Sequence, residues 1–292
     1  MGIDRYAVIG HHIGYSRSPQ IHAAFARGTG QVLEYGLIDV EPASFDAAVR
    51  QFVAAGGRGL NVTVPYKLRA LELVTTLTPR AQRAGAVNTL SMGVGVGVGV
   101  GGESVDGLAN PSLGQLSGDN TDGAGLLRDL TANLRFEIRD ARVLLLGAGG
   151  AARGILGPLL AAGPAVVHIR NRTQAHARQL AAQFADLGPV HALLAARTAR
   201  AYDLILNAIS GGGEDALLQL SLPTEAADAS TLCYDLSYGA VPTPFGRWAH
   251  ACGSGRVVDG LGMLVEQAAE SFLVWRGVRP DTGPVLAALE HP

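Results

Sequence analysis

Arg142-Val143-Leu144-Leu145-Leu146-Gly147-Ala148-Gly149-Gly150-Ala151-Ala152-Arg153 is the stretch from which the fold of this chain is read. A short, unbroken apolar run ending in glycine is the pattern of a strand buried on both faces, as in a parallel sheet. The glycines follow as G-x-G-x-x-A. Gly147 makes a tight turn and Gly149 lets the backbone approach a pyrophosphate, while Ala152 permits close helix packing. Ala148, Gly150 and Ala151 complete the turn and open a helix whose first N–H groups face the anion. A strand, a glycine turn and a helix in this order predict a dinucleotide-binding α/β unit.

The next strand indicates which dinucleotide. Units that bind NAD place an acidic residue about twenty positions on, where it accepts from the ribose 2′-hydroxyl. Here that place reads Ile169-Arg170-Asn171-Arg172-Thr173. A carboxylate would repel a 2′-phosphate, whereas Arg172 can clamp it and stack beside the adenine. Asn171 and Thr173 add neutral hydrogen bonds. The expected cofactor is therefore NADP.

The same alternation of short apolar strands and amphipathic helices runs along the whole chain, as in a layered, parallel α/β protein. Before the glycine turn, strands are expected at 6–9, 32–40, 59–64 and 86–91. Helices are expected at 19–28, 44–55, 65–73 and 79–84, with Thr78 capping the last and Pro79 in its first turn. Around and after the turn the expected helices are 123–134, 150–162, 174–184, 262–275 and a short one ending near Leu289. The expected strands are 142–146, 165–170, 204–207 and 232–235. From Ser91 to Ser117 no element is expected. Within it, residues 94–102 alternate valine and glycine, which has a strand's period but weakens pairing.

Composition narrows the classes of function. The chain has 292 residues, 48% of them hydrophobic and 16% charged, enough for two globular domains. A formal net charge of −2 leaves no electrostatic footprint for nucleic acid. No run approaches the length of about eighteen apolar residues that suggests a membrane span. Two cysteines, Cys233 and Cys252, are too few for a disulfide framework or a zinc site, so no metal is expected and the thiols read as reduced. The expected setting is the cytoplasm, and the expected partner a small-molecule substrate.

Of the 23 Lys and Arg residues only one, Lys67, is lysine. A lysine that persists where arginine otherwise serves points to proton transfer, which arginine cannot perform at working pH. It closes Asn61-Val62-Thr63-Val64-Pro65-Tyr66-Lys67, which begins at a strand end, the usual place for ligand contacts in such sheets. Other polar groups sit in similar positions. Ser16-Arg17-Ser18-Pro19 precedes a helix, Gly85-Ala86-Val87-Asn88-Thr89 ends another strand with an amide, and Gly118-Asp119-Asn120-Thr121-Asp122-Gly123 opens the helix that links the halves. Taken singly, each is a turn or cap more often than a site.

Taken in order, these motifs resemble the shikimate dehydrogenase family over nearly the whole chain. They correspond to its S-x-S-P, N-V-T-x-P-x-K, G-A-V-N-T, N-T-D-G, G-A-G-G-A and N-R-T signatures. Two more lie in Tyr234-Asp235-Leu236-Ser237-Tyr238 with Thr243-Pro244-Phe245, and in the run from Gly260 through Met263 and Leu264 to Gln267-Ala268. The resemblance implies NADPH-dependent, reversible reduction of 3-dehydroshikimate to shikimate, with Lys67 and Asp122 as the catalytic pair. It implies Ser16 and Ser18 at the substrate carboxylate. Thr63, Asn88, Tyr238 and Gln267 would lie around the ring, with Asn61 close by, and Leu236 and Gly260 would join the cofactor residues. Tyr15 and Ala23 depart from the family, which commonly has histidine and asparagine there. His176 stands where some members carry another cation.

The implied architecture is α/β with two domains. An N-terminal α/β substrate domain, residues 1–121, is completed by C-terminal helices, residues 261–292. A Rossmann-like NADP-binding domain spans residues 122–260, with a cleft between the two. Both a monomer and a homodimer fit the sequence. Two rivals stay open: an NAD-dependent quinate/shikimate dehydrogenase, against which Arg172 argues, and a non-catalytic nucleotide sensor, against which Lys67 and Asp122 argue. The valine-glycine repeat reads as a flexible or loosely paired hairpin, a tolerated insertion. Limited proteolysis of the native protein is expected to cut within residues 94–102, and resistance to cutting there would refute that reading.

Overall fold

The computed structural model describes residues 2–93, 98–99, 116–194, 200–209, 217, 219–220, 222, 224–239 and 243–290. The chain forms two compact units, Met1–Gly125 with Leu264–Pro292, and Leu126–Met263. Among the described residues no helix is long and apolar enough to cross a membrane.

The first unit begins with β1 (Asp4–Gly10), α1 (Ser18–Thr29), β2 (Leu33–Asp39), α2 (Phe45–Ala54) and β3 (Gly57–Val62). It continues through β4 (Thr76–Leu77), α3 (Pro79–Ala84), β5 (Thr89–Met92), β6 (Val98–Gly99), β7 (Leu116–Asp119) and the start of α4 (Asp122–Arg128). The strands make one sheet in the order β2-β1-β3-β5-β7-β4-β6. β1 is parallel to β2 and β3, but β5 is antiparallel to both β3 and β7. The expected all-parallel layering therefore fails here. The connection from β3 to β5 contains one α-helix of six residues, α3, which packs on β4 and β7. With no long helix to carry the chain back across the sheet, β5 returns beside β3 in the opposite sense. That reversal places Asn61 opposite Thr89, at the end of the sheet where the polar motifs lie.

Side-chain alternation along β1 splits the core. Ala7 and Ile9 face Phe45, Val49, Leu60 and Val62, while Tyr6 stacks on Trp275 with ring centroids 4.7 Å apart. The helix expected at 65–73 is instead a series of turns with a four-residue 3₁₀ helix, Arg69–Glu72. The Lys67 carbonyl accepts from the Val87 N–H at 2.8 Å, so Leu71 bonds back to Leu68 rather than to Lys67. A tertiary hydrogen bond thus captures the acceptor an α-helix would need. Thr78 does cap α3, accepting from the Ala81 N–H at 3.3 Å. Two short strands, β4 and β7, were not expected. Of the valine-glycine repeat, Val98–Gly99 pairs antiparallel with Thr76–Leu77, and the rest lies outside the described residues.

The second unit contains β8 (Arg142–Leu146), α5 (Gly150–Ala161), β9 (Val166–Arg170), α6 (Gln174–Phe184), β10 (Val190–Ala192), β11 (Leu204–Asn207) and β12 (Leu232–Asp235). It ends with α7 (Pro244–Ala251) and β13 (Arg256–Val258). Its six strands are all parallel, in the order β10-β9-β8-β11-β12-β13. This is the doubly wound order of dinucleotide-binding folds, with its switch point between β8 and β11. β8 shows why its sequence is apolar throughout: Val143 and Leu145 pack with α5 and α6 residues, Leu144 and Leu146 with Tyr202 and Phe245. Past α4 the chain makes a π-helical turn, Asp129–Asn133, where Asp129 accepts from the buried Tyr234 hydroxyl at 2.6 Å. Helices α8 (Leu261–Arg276) and α9 (Gly283–Glu290) close the sequence, and from Leu264 on they group with the first unit.

One buried group in the first unit responds to acid. His22 on α1 is fully buried and stacks on Tyr35, ring centroids 4.0 Å apart and nearly coplanar. Neither ring nitrogen makes a hydrogen bond of normal geometry to the protein. Burial pulls its pKa down to about 3, with the nearby Asn61 amide a smaller opposing influence. Between that value and the ordinary 6.5, the unfolded chain holds a proton the folded chain lacks, so stability falls as pH is lowered through this window. Wild-type stability to urea is expected to lose up to about 1.4 kcal/mol more per pH unit across it than that of His22→Leu. Parallel pH profiles of the two proteins would contradict this.

Candidate functional site

In the first unit the polar motifs meet at one end of the sheet. Lys67 Nζ donates to Asp122 Oδ2 at 2.6 Å, and the two side chains are 14% and 3% exposed. Asn88, immediately before β5, donates from Nδ2 to Asp122 Oδ1 at 2.8 Å and to Thr121 Oγ1 at 2.9 Å. Its Oδ1 accepts from the Thr121 backbone N–H at 2.8 Å. A backbone N–H can only donate and a carboxylate only accept, so Asn88 has one permitted amide orientation. Asp122 is held from one oxygen by Asn88 and presents the other to Lys67.

The turn that carries Asp122 is itself braced. Asn120 donates to the Ala86 carbonyl at 2.9 Å, and its Oδ1 accepts from the Asp122 N–H at 3.2 Å. Arg80 grips Asp119 through two bonds of 2.7 and 2.6 Å and reaches Glu270 on α8 at 2.9 Å. Burial acts to raise the Asp119 carboxyl, but Arg80 and Thr78 outweigh it and hold the group below the usual carboxylate range. A Cβ on Gly125 would lie 2.6 Å from that of Gln267, so glycine there lets α4 and α8 approach closely. Gln267 Oε1 consequently comes within 3.4 Å of Asn88 Nδ2 and 3.5 Å of Thr121 Oγ1.

The serine loop lies on the ends of β1 and β3. The His11 N–H donates to the Val64 carbonyl, and the Gly10 α-carbon sits against the methyl groups of Ile13 and Thr63. Ser16 Oγ donates to Ser18 Oγ at 3.2 Å and accepts from the Ser18 N–H at 3.3 Å, at the start of α1, whose N-cap is Arg17. Ser18 is buried, while Tyr15 and Ala23 are exposed. Residues without an expected role complete the cluster. The Tyr35 hydroxyl donates to Asn61 Oδ1 at 2.7 Å, and Asn61 Nδ2 donates to Ser271 Oγ at 2.9 Å. Burial pushes the Tyr35 phenol well above the usual tyrosine range, with a hydrogen bond to Ser18 opposing it. Ser271 was legible in one respect: it lies four residues after Gln267, a second polar group on the same face of an apolar helix.

In the second unit the Gly147–Ala151 turn leaves β8 at the switch point. Gly147 has φ +106°, and its N–H donates to the Arg170 carbonyl at 2.8 Å. A Cβ there would lie 3.0 Å from the Ala208 carbonyl oxygen, so both conformation and packing call for glycine. Gly149 differs: it has φ −85°, and a Cβ would meet nothing within 4 Å. Among the described residues nothing in the protein requires glycine at 149, as fits a position where a ligand backbone or phosphate must come close. α5 starts at Gly150 with no side-chain cap and no acidic residue in its first turn. Its leading N–H groups therefore suit a pyrophosphate.

The two arginines after β9 divide in role. Arg170 donates to the carbonyls of Leu193, Leu194 and Leu220 and is spent on structure. Arg172 is exposed and donates to Gln219 Oε1 at 3.2 Å, while Asn171 Nδ2 bonds the Thr173 carbonyl and Thr173 is the N-cap of α6. This arrangement fits a nucleotide with a 2′-phosphate. At the end of β12 the Leu236 N–H donates to the Asn207 carbonyl, and Gly260 packs its α-carbon on the Leu236 carbonyl. Tyr238 follows in the second unit and is half-buried.

Three family models match the chain in order. Residues 8–90 match the shikimate dehydrogenase substrate binding domain, 130–238 the shikimate/quinate 5-dehydrogenase model, and 260–290 the shikimate 5′-dehydrogenase C-terminal domain. A shikimate dehydrogenase (NADP(+)) of Alkalilimnicola ehrlichii is 49% identical over 286 residues, covering 98% of each chain. Among solved structures, an Ael1 enzyme from Pseudomonas putida is 43% identical, with TM-score 0.82 and 99% of both chains covered. Shikimate 5-dehydrogenase from Thermus thermophilus, in complex with NADP(H) and shikimate, is 33% identical, with TM-score 0.80 and 99% of both chains covered. For the cofactor residues of this chain the expected outcome is asymmetric. Arg172→Ser is expected to weaken NADPH binding about ten- to hundredfold, the worth of charge-assisted hydrogen bonds, and to leave NADH binding unchanged. Fluorescence titration of both nucleotides checks this, and equal weakening of both would remove the 2′-phosphate role.

Proposed function

We propose that the chain, which belongs to the shikimate dehydrogenase family, reduces 3-dehydroshikimate to shikimate, reversibly and with NADPH. The observation that carries the reading is the Lys67–Asp122 pair, its carboxylate buried and its ammonium partly so, with Asp122 fixed from behind by Asn88. NADPH, held when bound by the Gly147–Ala151 turn and by Asn171, Arg172 and Thr173, supplies the hydride that turns the ketone carbon into an alcohol carbon.

The chain's own residues handle the oxygen. As the carbonyl carbon accepts the hydride, its π electrons move onto oxygen, and the Lys67 ammonium gives that oxygen a proton. In the reverse direction the neutral amine takes the proton back from the hydroxyl as hydride leaves the carbon. Asp122 directs the ammonium and stabilises its charge. A guanidinium can stabilise an oxyanion but holds its proton too tightly to deliver it, which accounts for the one lysine in an arginine-rich chain. Ser16 and Ser18 hold the substrate carboxylate on the loop that lies on the ends of β1 and β3. Thr63, Asn88, Gln267 and Tyr238, with Asn61 close by, hold the ring and its hydroxyls. Leu236 and Gly260 shape the cofactor's surroundings.

Lys67→Arg is expected to bind shikimate within a fewfold of wild type by titration calorimetry. Its turnover with NADP is expected to fall about 10²- to 10⁴-fold, the usual worth of a positioned proton donor. Near-normal turnover would remove Lys67 from acid–base duty. Initial rates with shikimate and NADP against NAD test the activity as a whole. Preference for NAD would move the chain to the catabolic alternative, and no turnover with either would favour a nucleotide sensor.

A further inference from the structure

We infer that Ser271 is a positioning residue for the Lys67–Asp122 pair, acting through the Asn88 carboxamide. The inference rests on the catalytic reading of that pair. Ser271 is fully buried on α8, one helical turn beyond Gln267. Its hydroxyl lies 2.9 Å from Asn61 Nδ2, 2.9 Å from Thr89 Oγ1, 3.2 Å from Thr121 Oγ1 and 3.0 Å from the Gln267 carbonyl. One oxygen thus joins α8 to the ends of β3 and β5 and to the turn before α4.

The orientation of the two amides follows from which groups can only donate or only accept. Asn61 Nδ2 faces the Asn88 backbone carbonyl at 3.5 Å, an acceptor, so the nitrogen belongs there and the Asn61 oxygen takes the Tyr35 proton. The Asn61 amide nitrogen can then only donate to Ser271. At the far end, Asn88 Oδ1 can only accept: it takes the Thr121 N–H at 2.8 Å and has the Thr89 and Thr121 hydroxyls 2.9 and 3.2 Å away. Between Ser271 and Thr89 either hydroxyl can donate: when Thr89 gives its proton to Asn88, Ser271 donates to Thr89, and when Ser271 gives its proton to the Gln267 carbonyl, Thr89 donates to Ser271. The result is a connected path from Tyr35 through Asn61, Ser271 and Thr89 to Asn88 and Asp122 Oδ1, in which Ser271 is the shorter of two links between Asn61 and Thr89, the direct one being 3.3 Å. Each link orients the next, and the last leaves Asp122 Oδ2 aimed at Lys67.

Ser271→Ala removes the shorter link at the centre of the path and leaves only the 3.3 Å contact between Asn61 and Thr89, while keeping a good helix former of similar size. Thr89→Val cuts the next link almost isosterically. Both are expected to lower kcat about ten- to hundredfold, the scale of a small misplacement of a catalytic group, with KM for shikimate within about threefold. In an Asp122→Asn background, followed under single-turnover conditions, Ser271→Ala is expected to cost less than about twofold, because a group that acts through Asp122 has nothing left to orient. A loss of equal size in both backgrounds, or unchanged kcat in Ser271→Ala, would overturn the inference. A readout free of turnover separates it from the activity itself. The Asn88 carboxamide protons, assigned by NMR in the wild type, are expected to exchange slowly with solvent there and markedly faster in Ser271→Ala, and equal exchange would overturn the positioning role whatever the protein's substrate.

Discussion

The architecture of the first unit depends on keeping one ammonium–carboxylate pair out of bulk water. Two charges buried together lose hydration, and their attraction offsets that loss only if the remaining lone pairs and protons are also satisfied. Asp122 meets the condition by taking Lys67 on one oxygen and Asn88 on the other. Asn88 in turn is held by Thr121 and Thr89, and Asn120 and Arg80 brace the strand end and turn that carry Asp122. The antiparallel return of β5, the absence of an α-helix after β3 and the close approach of α8 at Gly125 all bring these partners to one place. A two-residue change in register would scatter them.

The second unit meets a different demand: it presents backbone N–H groups and a cation, and buries apolar surface on both faces of its sheet. Six parallel strands with apolar runs supply the platform, and the segments after β8 and β9 carry the glycine turn and Arg172. The contrast between Gly147 and Gly149 separates two uses of glycine in one motif. The first is required by conformation and by packing on Ala208, whereas among the described residues the second is required by nothing in the protein. Arg170 and Arg172 divide similarly, one bonded to carbonyls of its own unit and one exposed.

Much of this was legible from residue patterns because the relevant forces are local. The strands at 142–146, 204–207 and 232–235 and the helix at 174–184 lie where apolar periodicity and glycine punctuation place them. The helix expected at 65–73 failed because a distant N–H, that of Val87, competes for the Lys67 carbonyl. β4 and β7 were missed because strands of two and four residues carry too little periodicity to register. β13 and α7 escaped for a related reason, since their apolar faces make sense only against β12. Tyr35, Thr89, Thr121 and Ser271 are ordinary polar residues whose part in the cluster depends on partners from 26 to 210 positions away.

Residue patterns alone carry the α/β class, the glycine turn and its following arginine, and the singular lysine, since each expresses chemistry confined to a few neighbouring residues. Only the tertiary structure decided the mixed order of the first sheet and which arginine is exposed. It alone decided the orientation of the Asn61 and Asn88 amides and the path of hydrogen bonds through Ser271. Those properties depend on which donors and acceptors meet once water is excluded. That is a matter of three-dimensional proximity, which no local pattern encodes.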